Sequence, residues 1–330
     1  MQALKTGWLY SVLAAVCTLF TAFQAGAQPA DFPNKPINIV TPYAPGGTDL
    51  AIRHYTDSIM AGSQQWRFVI DYKQGAGGAV AMGHVAKSAP DGYTLFVSST
   101  TLLLLDLMEE KLAHQEKDFD PVYLLTSSPQ LVVTHQLVPV GNMKEFVAYA
   151  KANPGKLNWG MVGNAGIQRM VVEYMQDLYG IKMALIPYKG TGTIGPAILS
   201  GEITATFQAP RNLLAGIKAG KIRALAHSGK PGFIIPELPD VRSIGESGVP
   251  AFENFGWIAL HAPAGTPVAI RTRINRLFND AMKTPEVIKR FRATGDTPGG
   301  GTIEDFEKYM DVQRVRWHST AKRLGIKLTP

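Results

Sequence analysis

The sequence predicts an α/β protein of two lobes, each a largely parallel sheet flanked by helices, with the chain crossing between them twice. Three observations carry this. Strand-like runs alternate with helix-like runs, several of them joined by glycine-rich turns. From residue 268 on, the style changes to long amphipathic helices. The 330 residues suffice for two domains of about 150 residues each.

The first element is a leader. Lys5 is followed by the apolar run "WLYSVLAAVCTLFTAF" (8–23) and by "AGA" (25–27), the pattern of a secretory signal peptide cleaved to leave Gln28 as the first residue. An uncleaved anchor is the weaker alternative, because the run is shorter than the roughly twenty apolar residues a membrane span needs. Cys17, the single cysteine, leaves with the leader. The mature chain is then addressed to an oxidising compartment with no disulfide, thiolate metal site or cysteine nucleophile.

The first strand is "INIV" (37–40), and Leu50, Ile52, Tyr55 and Ile59 then fall at near-helical spacing. Between them lies "TPYAPGGTD", in which Gly46 and Gly47 permit a tight turn and Thr48 or Asp49 suits the helix cap. The unit repeats: strand "RFVID" (67–71), loop "YKQGAGG", helix "AVAMGHVAKS", turn "APDG", strand "YTLFVSS" (93–99). It returns as strand "KLNWGMV" (156–162), loop "GNAG" and helix "IQRMVVEYMQDLYG". Strand "KMALIPY" (182–188), loop "KGTGTIG", helix "PAILSG" and strand "EITATFQ" follow. The amphipathic "NLLAGIKAG" precedes strand "IRALAHS" (222–228), and "GWIALHAPAGTP" (256–267) leads into the closing helices. Ile270, Ile274, Leu277 and Phe278 share one helix face, which is expected to cover the first sheet. The expected division is a signal peptide over 1–27, lobe one over 28–130 and 250–330, and lobe two over 131–249.

Charge narrows the function. Lys and Arg number 33 against 26 Asp and Glu, a formal net charge of +7, of which Lys5 in the leader supplies one. The basic residues are scattered along helices without interleaved aromatics, so they read as solvated faces and not as a nucleic-acid surface. The net field still favours small anions.

The signatures of common chemistry are missing. There is no G-x-S-x-G, no H-E-x-x-H and no G-x-x-x-x-G-K-[ST], and the seven histidines lie far apart, which argues for surface or core roles and against metal or catalysis. "GTGTIG" (190–195) has G-x-G-x-x-G spacing, but Pro196 follows at once and no acidic residue stands about twenty residues on to meet a ribose. It reads as a generic anion-binding turn, with no cofactor. An enzyme would need a converging acid, base or nucleophile; Asp49 and Lys189 could be cast so, yet capping and anion contact explain them more simply.

What remains is a set of glycine-rich turns in front of helices. The first turn of a helix carries about four unbonded N–H groups and a partial positive charge, so a loop without side-chain bulk admits a carboxylate. Three or four charge-assisted hydrogen bonds of roughly 1.5–3 kcal/mol each approach the ~8 kcal/mol of a micromolar complex before costs are counted. Any one such loop is explained as a mere joint; several meeting at one cleft favour binding.

The segments "KPINIVTPYAPGGTDLAIR", "QGAGGAVAMGHVAKSAPDGYTLFVSS", "IPYKGTGTIGPAILSGEI", "IKAGKIRALAHSG" and "LPDVRSIGESGVPAFENFGWIALHAPAGTP", with the tail "AKRLGIKL", resemble the extracytoplasmic solute receptors of tripartite tricarboxylate transporters, the TctC-like or Bug family, in the family's order and over essentially the whole mature chain. The resemblance implies a two-lobed, flytrap-like, type II periplasmic binding protein that is a monomer and not an enzyme. Its ligand would be a small mono- or dicarboxylate, aromatic ones included, delivered to membrane permease subunits. A sensory subunit serving a membrane kinase is the alternative, and a secreted enzyme acting on a small carboxylate a more distant one.

By the same resemblance, the first lobe grips with Tyr43, Gly46, Gly47, Thr48 and Asp49, with the Gly75–Gly78 loop, Gly77 and Gly78 included, and with Ser98, Ser99 and Thr100. The second lobe offers Asn164, Ala165 and Arg169, then Tyr188, Lys189, Gly190 and Thr191, and finally Gln208. Four departures from the family's pattern bear on ligand choice. The first loop is one residue shorter between Gly47 and Asp49, and Gln74 replaces a proline. Arg169 stands where a histidine is common, after a "GNAG" without the usual hydroxyl, and Thr204 replaces an aspartate. Arg169, one turn into its helix, is expected to meet a second anionic or polar group of the ligand.

Overall fold

The structure is a computed structural model that describes residues 31–103, 113–163, 167–250, 252 and 255–325. The expected leader, with Lys5, Cys17 and the expected cleavage site before Gln28, lies outside the described residues, as do Asn164 and Ala165. From Lys35 on, the described residues belong to one compact unit.

That unit contains two five-stranded sheets. The first takes β1 (Ile37–Thr41), β2 (Phe68–Tyr72), β3 (Thr94–Ser99), β4 (Phe119–Pro129) and β10 (Phe255–Pro263), in the spatial order β2-β1-β3-β10-β4. The second takes β5 (Leu131–His135), β6 (Asn158–Val162), β7 (Ala184–Tyr188), β8 (Ala205–Gln208) and β9 (Ile222–His227), in the order β7-β6-β8-β5-β9. Both are mixed. β1 pairs in parallel with β2 and β3, while β10 runs antiparallel to β3 and β4, so one strand opposes the other four. β6 pairs in parallel with β7 and β8, while β5 opposes β8 and β9. The expectation of largely parallel sheets therefore holds for four strands of five. The reversed strand in each follows a passage of the chain from one sheet to the other.

The reading by strand-helix units left residues 104–135 unassigned. β4 lies there, the longest strand, and β5 follows it after Gln130 alone. β4 runs into β5 with no helix between them, and the stretch from β5 to the helix Met143–Ala152 has Gly141 as its single glycine, so the repeating grammar of glycine-rich joints did not reach them.

Helices flank the sheets: α1 (Gly47–Gly62), α2 (Ala79–Ala86), α3 (Met143–Ala152), α4 (Ile167–Tyr179), α5 (Thr191–Ser200), α6 (Leu214–Lys218), α7 (Val268–Met282), α8 (Pro285–Thr294) and α9 (Ile303–Arg323). α5 starts earlier than expected. "GTGTIG" is its cap and first turns, with Pro196 inside the helix, and not a loop. On the first sheet, Tyr55 of α1 meets the rings of Tyr123, Phe278 and Phe291 at 5.6, 5.6 and 5.3 Å, and donates its hydroxyl to the Leu125 carbonyl at 2.8 Å. Ile270, Ile274 and Phe278 of α7 are buried there, as their spacing predicts, while Leu277 is only half-buried. α9 does more than cover the first sheet. Its last turns bring Trp317 and Ala321 into the cluster around Trp159, Met170 and Met175 beside the second sheet.

The two passages between the sheets run side by side where Phe255 pairs with Pro129 and Gly256 with Ser128. Gln130 lies across Gly256: a Cβ there would stand 2.1 Å from the Gln130 side-chain nitrogen. Among the described residues, no helix is long and apolar enough to cross a membrane.

Candidate functional site

The carboxyl ends of six strands converge on a cavity of about 520 Å³. In open α/β sheets ligands sit outside such strand ends, where diverging loops leave a crevice. Pro42, Tyr43 and Thr48 line the cavity from beyond β1, Gln74, Gly75, Ala76 and Gly78 from beyond β2, and Ser99, Thr100 and Thr101 from the end of β3. The second sheet contributes Val162, Gly163 and Gln168 after β6, Tyr188, Lys189 and Thr191 after β7, and Arg211 after β8. Gln130, Gly256, Trp257 and Ile258, at the passages between the sheets, complete it.

Its polar chemistry is mainly that of hydroxyls and amides. The Tyr43 hydroxyl lies 2.6 Å from Ser99 Oγ and 3.4 Å from Thr101 Oγ1, and Ser99 Oγ lies 3.2 Å from Thr101 Oγ1. Burial holds the Tyr43 hydroxyl above its ordinary 10, against the opposing pull of Ser99 and Thr101, so it stays neutral. Tyr188 donates its hydroxyl to Glu202 at 2.5 Å, and desolvation together with that carboxylate pushes it up to about 12. α1 and α5 start at the caps Gly46 and Gly190 without a side-chain hydrogen bond at either cap, and Thr48 and Thr191 in their first turns face the cavity. After β2, Gly75 (φ 129°), Ala76 (φ 44°) and Gly78 (φ 115°) take left-handed backbone, strained at Ala76, which turns the peptide groups of this wall.

The expected site residues fall into three groups. Tyr43, Thr48, Gly78, Ser99, Thr100, Tyr188, Lys189 and Thr191 line the cavity. Asn164 and Ala165 lie outside the described residues. The others stand elsewhere, each for a visible reason. Gly46 and Gly47 are taken up by the opposite side of the cleft: a Cβ on Gly47 would lie 2.0 Å from Asn212 Oδ1, and one on Gly46 3.2 Å from the Gly192 Cα. Asp49 is not the helix cap, which is Gly46; its carboxylate accepts from Arg53 at 2.9 Å and from the Tyr72 hydroxyl. Gly77 sits within the short helical turn Ala76–Gly78, whose other members reach the cavity. Ser98 points away along its strand, its hydroxyl 2.7 Å from His261 Nδ1. Gly190 packs against Ala44, 3.6 Å from where its Cβ would be. Gln208 is buried and accepts from Asn212 Nδ2 at 3.2 Å. Arg169 donates to Glu173 at 2.8 Å and does not line the cavity; one residue earlier, about 100° around the helix, Gln168 does.

Gln74, singled out for replacing a proline, lines the cavity too, whereas sequence reasoning missed Thr101, Gln130, Gln168, Arg211 and Trp257. Arg211 carried a usable signal, since it stands three residues after the end of β8, as Lys189 stands next to the end of β7. Gln130 and Trp257 carried none: Gln130 lies between β4 and β5, which had not been assigned, and Trp257 reaches the cavity through the pairing of β10 with β4.

Known proteins agree with this architecture. The chain matches the TctC model, the tripartite tricarboxylate transporter family receptor, over residues 56–326. It is 29% identical over 322 residues to the protein BugT of Bordetella pertussis, covering 96% of this chain and 98% of BugT. The solved structure of R. palustris Rpa4515 with adipate superposes with a TM-score of 0.84 at 27% identity, covering 90% of this chain and 99% of that one. MatC from Rhodopseudomonas palustris with bound malate gives a TM-score of 0.80 at 27% identity, covering 88% and 99%. With strand ends from two sheets around one cavity and a family match over most of its length, the chain belongs to the TctC family of tripartite tricarboxylate transporter receptors, periplasmic solute-binding proteins and not enzymes.

Proposed function

We propose that the protein captures a small carboxylate in this cavity and delivers it to the membrane permease subunits of a tripartite tricarboxylate-type transporter. One observation carries the reading: the described lining offers hydroxyls, amides, two helix starts, Lys189 and Arg211, and no carboxylate. Such a wall stabilises an anion and gives nothing for an ammonium group to pair with. The acids bound by the Rpa4515 and MatC structures support it.

In this reading residues 28–130 and 250–330 move as one lobe and 131–249 as the other, hinged where Gln130 and Gly256 meet. The chain is exported by a signal peptide cut after Ala27 and acts as a monomer. Thermal unfolding with and without linear dicarboxylates of four to eight carbons, malate and benzoate, each beside its carboxamide analogue, tests the reading. At least one acid should raise the Tm in proportion to the logarithm of its concentration, and its amide should not. No shift with any acid, or equal shifts with acid and amide, would refute carboxylate capture.

A further inference from the structure

We propose that Arg211, oriented by Asp296, is the residue through which the cavity reads a charged group of its ligand, an inference that rests on the carboxylate reading above. Arg211 sits in the turn Pro210–Asn212 directly after β8 and lines the cavity, although its side chain is only 8% exposed. One arm of its guanidinium is fixed: Nη1 donates to Asp296 Oδ1 at 2.7 Å, and the Asp296 side chain is fully buried. Asp296 follows α8, and the next residue, Thr297, is tied to β4 by its amide, which donates to Ser128 Oγ at 2.8 Å. The pair therefore joins the sequel of a second-sheet strand to a segment anchored on the first sheet.

The pair is only half satisfied. A guanidinium and a carboxylate can exchange two parallel bonds, yet Arg211 Nε and Asp296 Oδ2 are both buried with no partner among the described residues. Nε lies against the start of α1, 3.0 Å from where a Cβ on Gly47 would be. Asp296 offsets much of the charge, but a guanidinium held in this buried wall with bonding capacity left over offers an incoming anion its remaining N–H groups without a solvent shell to remove. Lys189, the other cation of the described lining, is exposed, and solvent and salt screen an exposed charge, so it discriminates less. Asp296 is a positioning residue, because one fixed arm holds the plane of the fork.

The test uses the acid that raises the Tm of the wild type most, with its carboxamide analogue, and reads the ratio of their affinities by calorimetry and competition. Arg211→Gln should lower that ratio about ten- to hundredfold, the range of a charged hydrogen bond, through weaker binding of the acid. Arg211→Lys should recover part of it by restoring charge without the fork, and Asp296→Asn, which keeps an acceptor for Nη1 but removes the neutralising carboxylate, should hold the ratio at or above the wild-type value. Where a single variant fails to fold, the double variant Arg211→Gln/Asp296→Asn removes both buried charges together and is read in the same way. A folded Arg211→Gln or double variant that keeps the wild-type ratio, or loses acid and amide equally, overturns the role of Arg211. A wild type that binds no acid overturns the carboxylate reading itself, and is recognised before any variant is made.

Discussion

Gly192 and Pro45 touch through their backbones: a Cβ on Gly192 would stand 2.7 Å from the Pro45 carbonyl oxygen. Gly46 approaches the same place, so the turn after β1 and the first turn of α5 seat on one another only because neither carries side-chain bulk there. Gly192→Ala separates two effects of opposite sign. Inside a helix the exchange is favourable by up to about 1 kcal/mol, but the added Cβ meets a backbone oxygen and forces the two turns apart, so the Tm of the unliganded protein should rise by less than the helix gain or fall. Ligand that needs both turns in place should bind about tenfold more weakly or worse, as closure then costs an extra ~1.4 kcal/mol. Calorimetry with an acid that binds the wild type checks this; an unchanged affinity would mean that the contact is incidental.

Tyr43→Phe keeps the ring and removes the hydroxyl that meets Ser99 at 2.6 Å. A neutral hydrogen bond is worth roughly 0.5–1.5 kcal/mol net, so the free protein should lose up to about that much stability, and a ligand that engages the same hydroxyl should bind about three- to tenfold more weakly. A titration of the purified variant reads both quantities.

Much of the site was legible because its chemistry sits at strand ends. Gly46, Gly78 and Gly190 lie in the turns after β1, β2 and β7, Tyr43 and Lys189 come with the first and last of these, and Ser99 ends β3. What could not be read was direction and pairing. Gly47 is bare in order to admit Asn212, a residue 165 positions later in the chain, and no local pattern announces that. Arg169 and Gln168 are neighbours in sequence, and only the phase of α4 decides which one reaches the cavity. β4 and β5 pair with β10, β8 and β9, so their register depends on strands distant in sequence.

His261 predicts a pH dependence of stability. Its ring is buried against Phe306, at 5.2 Å between centroids, and desolvation lowers its pKa from the ordinary 6.5 to about 3. The folded state therefore holds it neutral where the unfolded chain would protonate it. Stability from this source is constant above pH 6.5 and falls as the pH drops from 6.5 toward 3, with a limiting slope of about 1.4 kcal/mol per pH unit. His54, lowered to about 4 chiefly by burial, contributes in the same direction, so the comparison is with His261→Gln. Denaturant unfolding between pH 7 and pH 4 should show a shallower loss in the variant, and parallel curves would contradict the assignment.

Phe278→Ala provides the structural control. Phe278 is fully buried among Tyr55, Phe68 and Tyr123 on the first sheet, away from the cavity lining. Its removal should cost about 3–5 kcal/mol of stability by leaving a cavity. Affinity per folded molecule should be unchanged when measured well below the lowered Tm.

A co-crystal structure with the acid that raises the Tm most decides whether strand ends of both sheets grip one carboxylate. The carboxylate oxygens should lie in the cavity between the β1, β2 and β3 ends and the β6, β7 and β8 ends, within about 3.2 Å of donors from both sets. An acid found outside that cavity, or held there by donors from one sheet alone, would contradict capture between the two sheets.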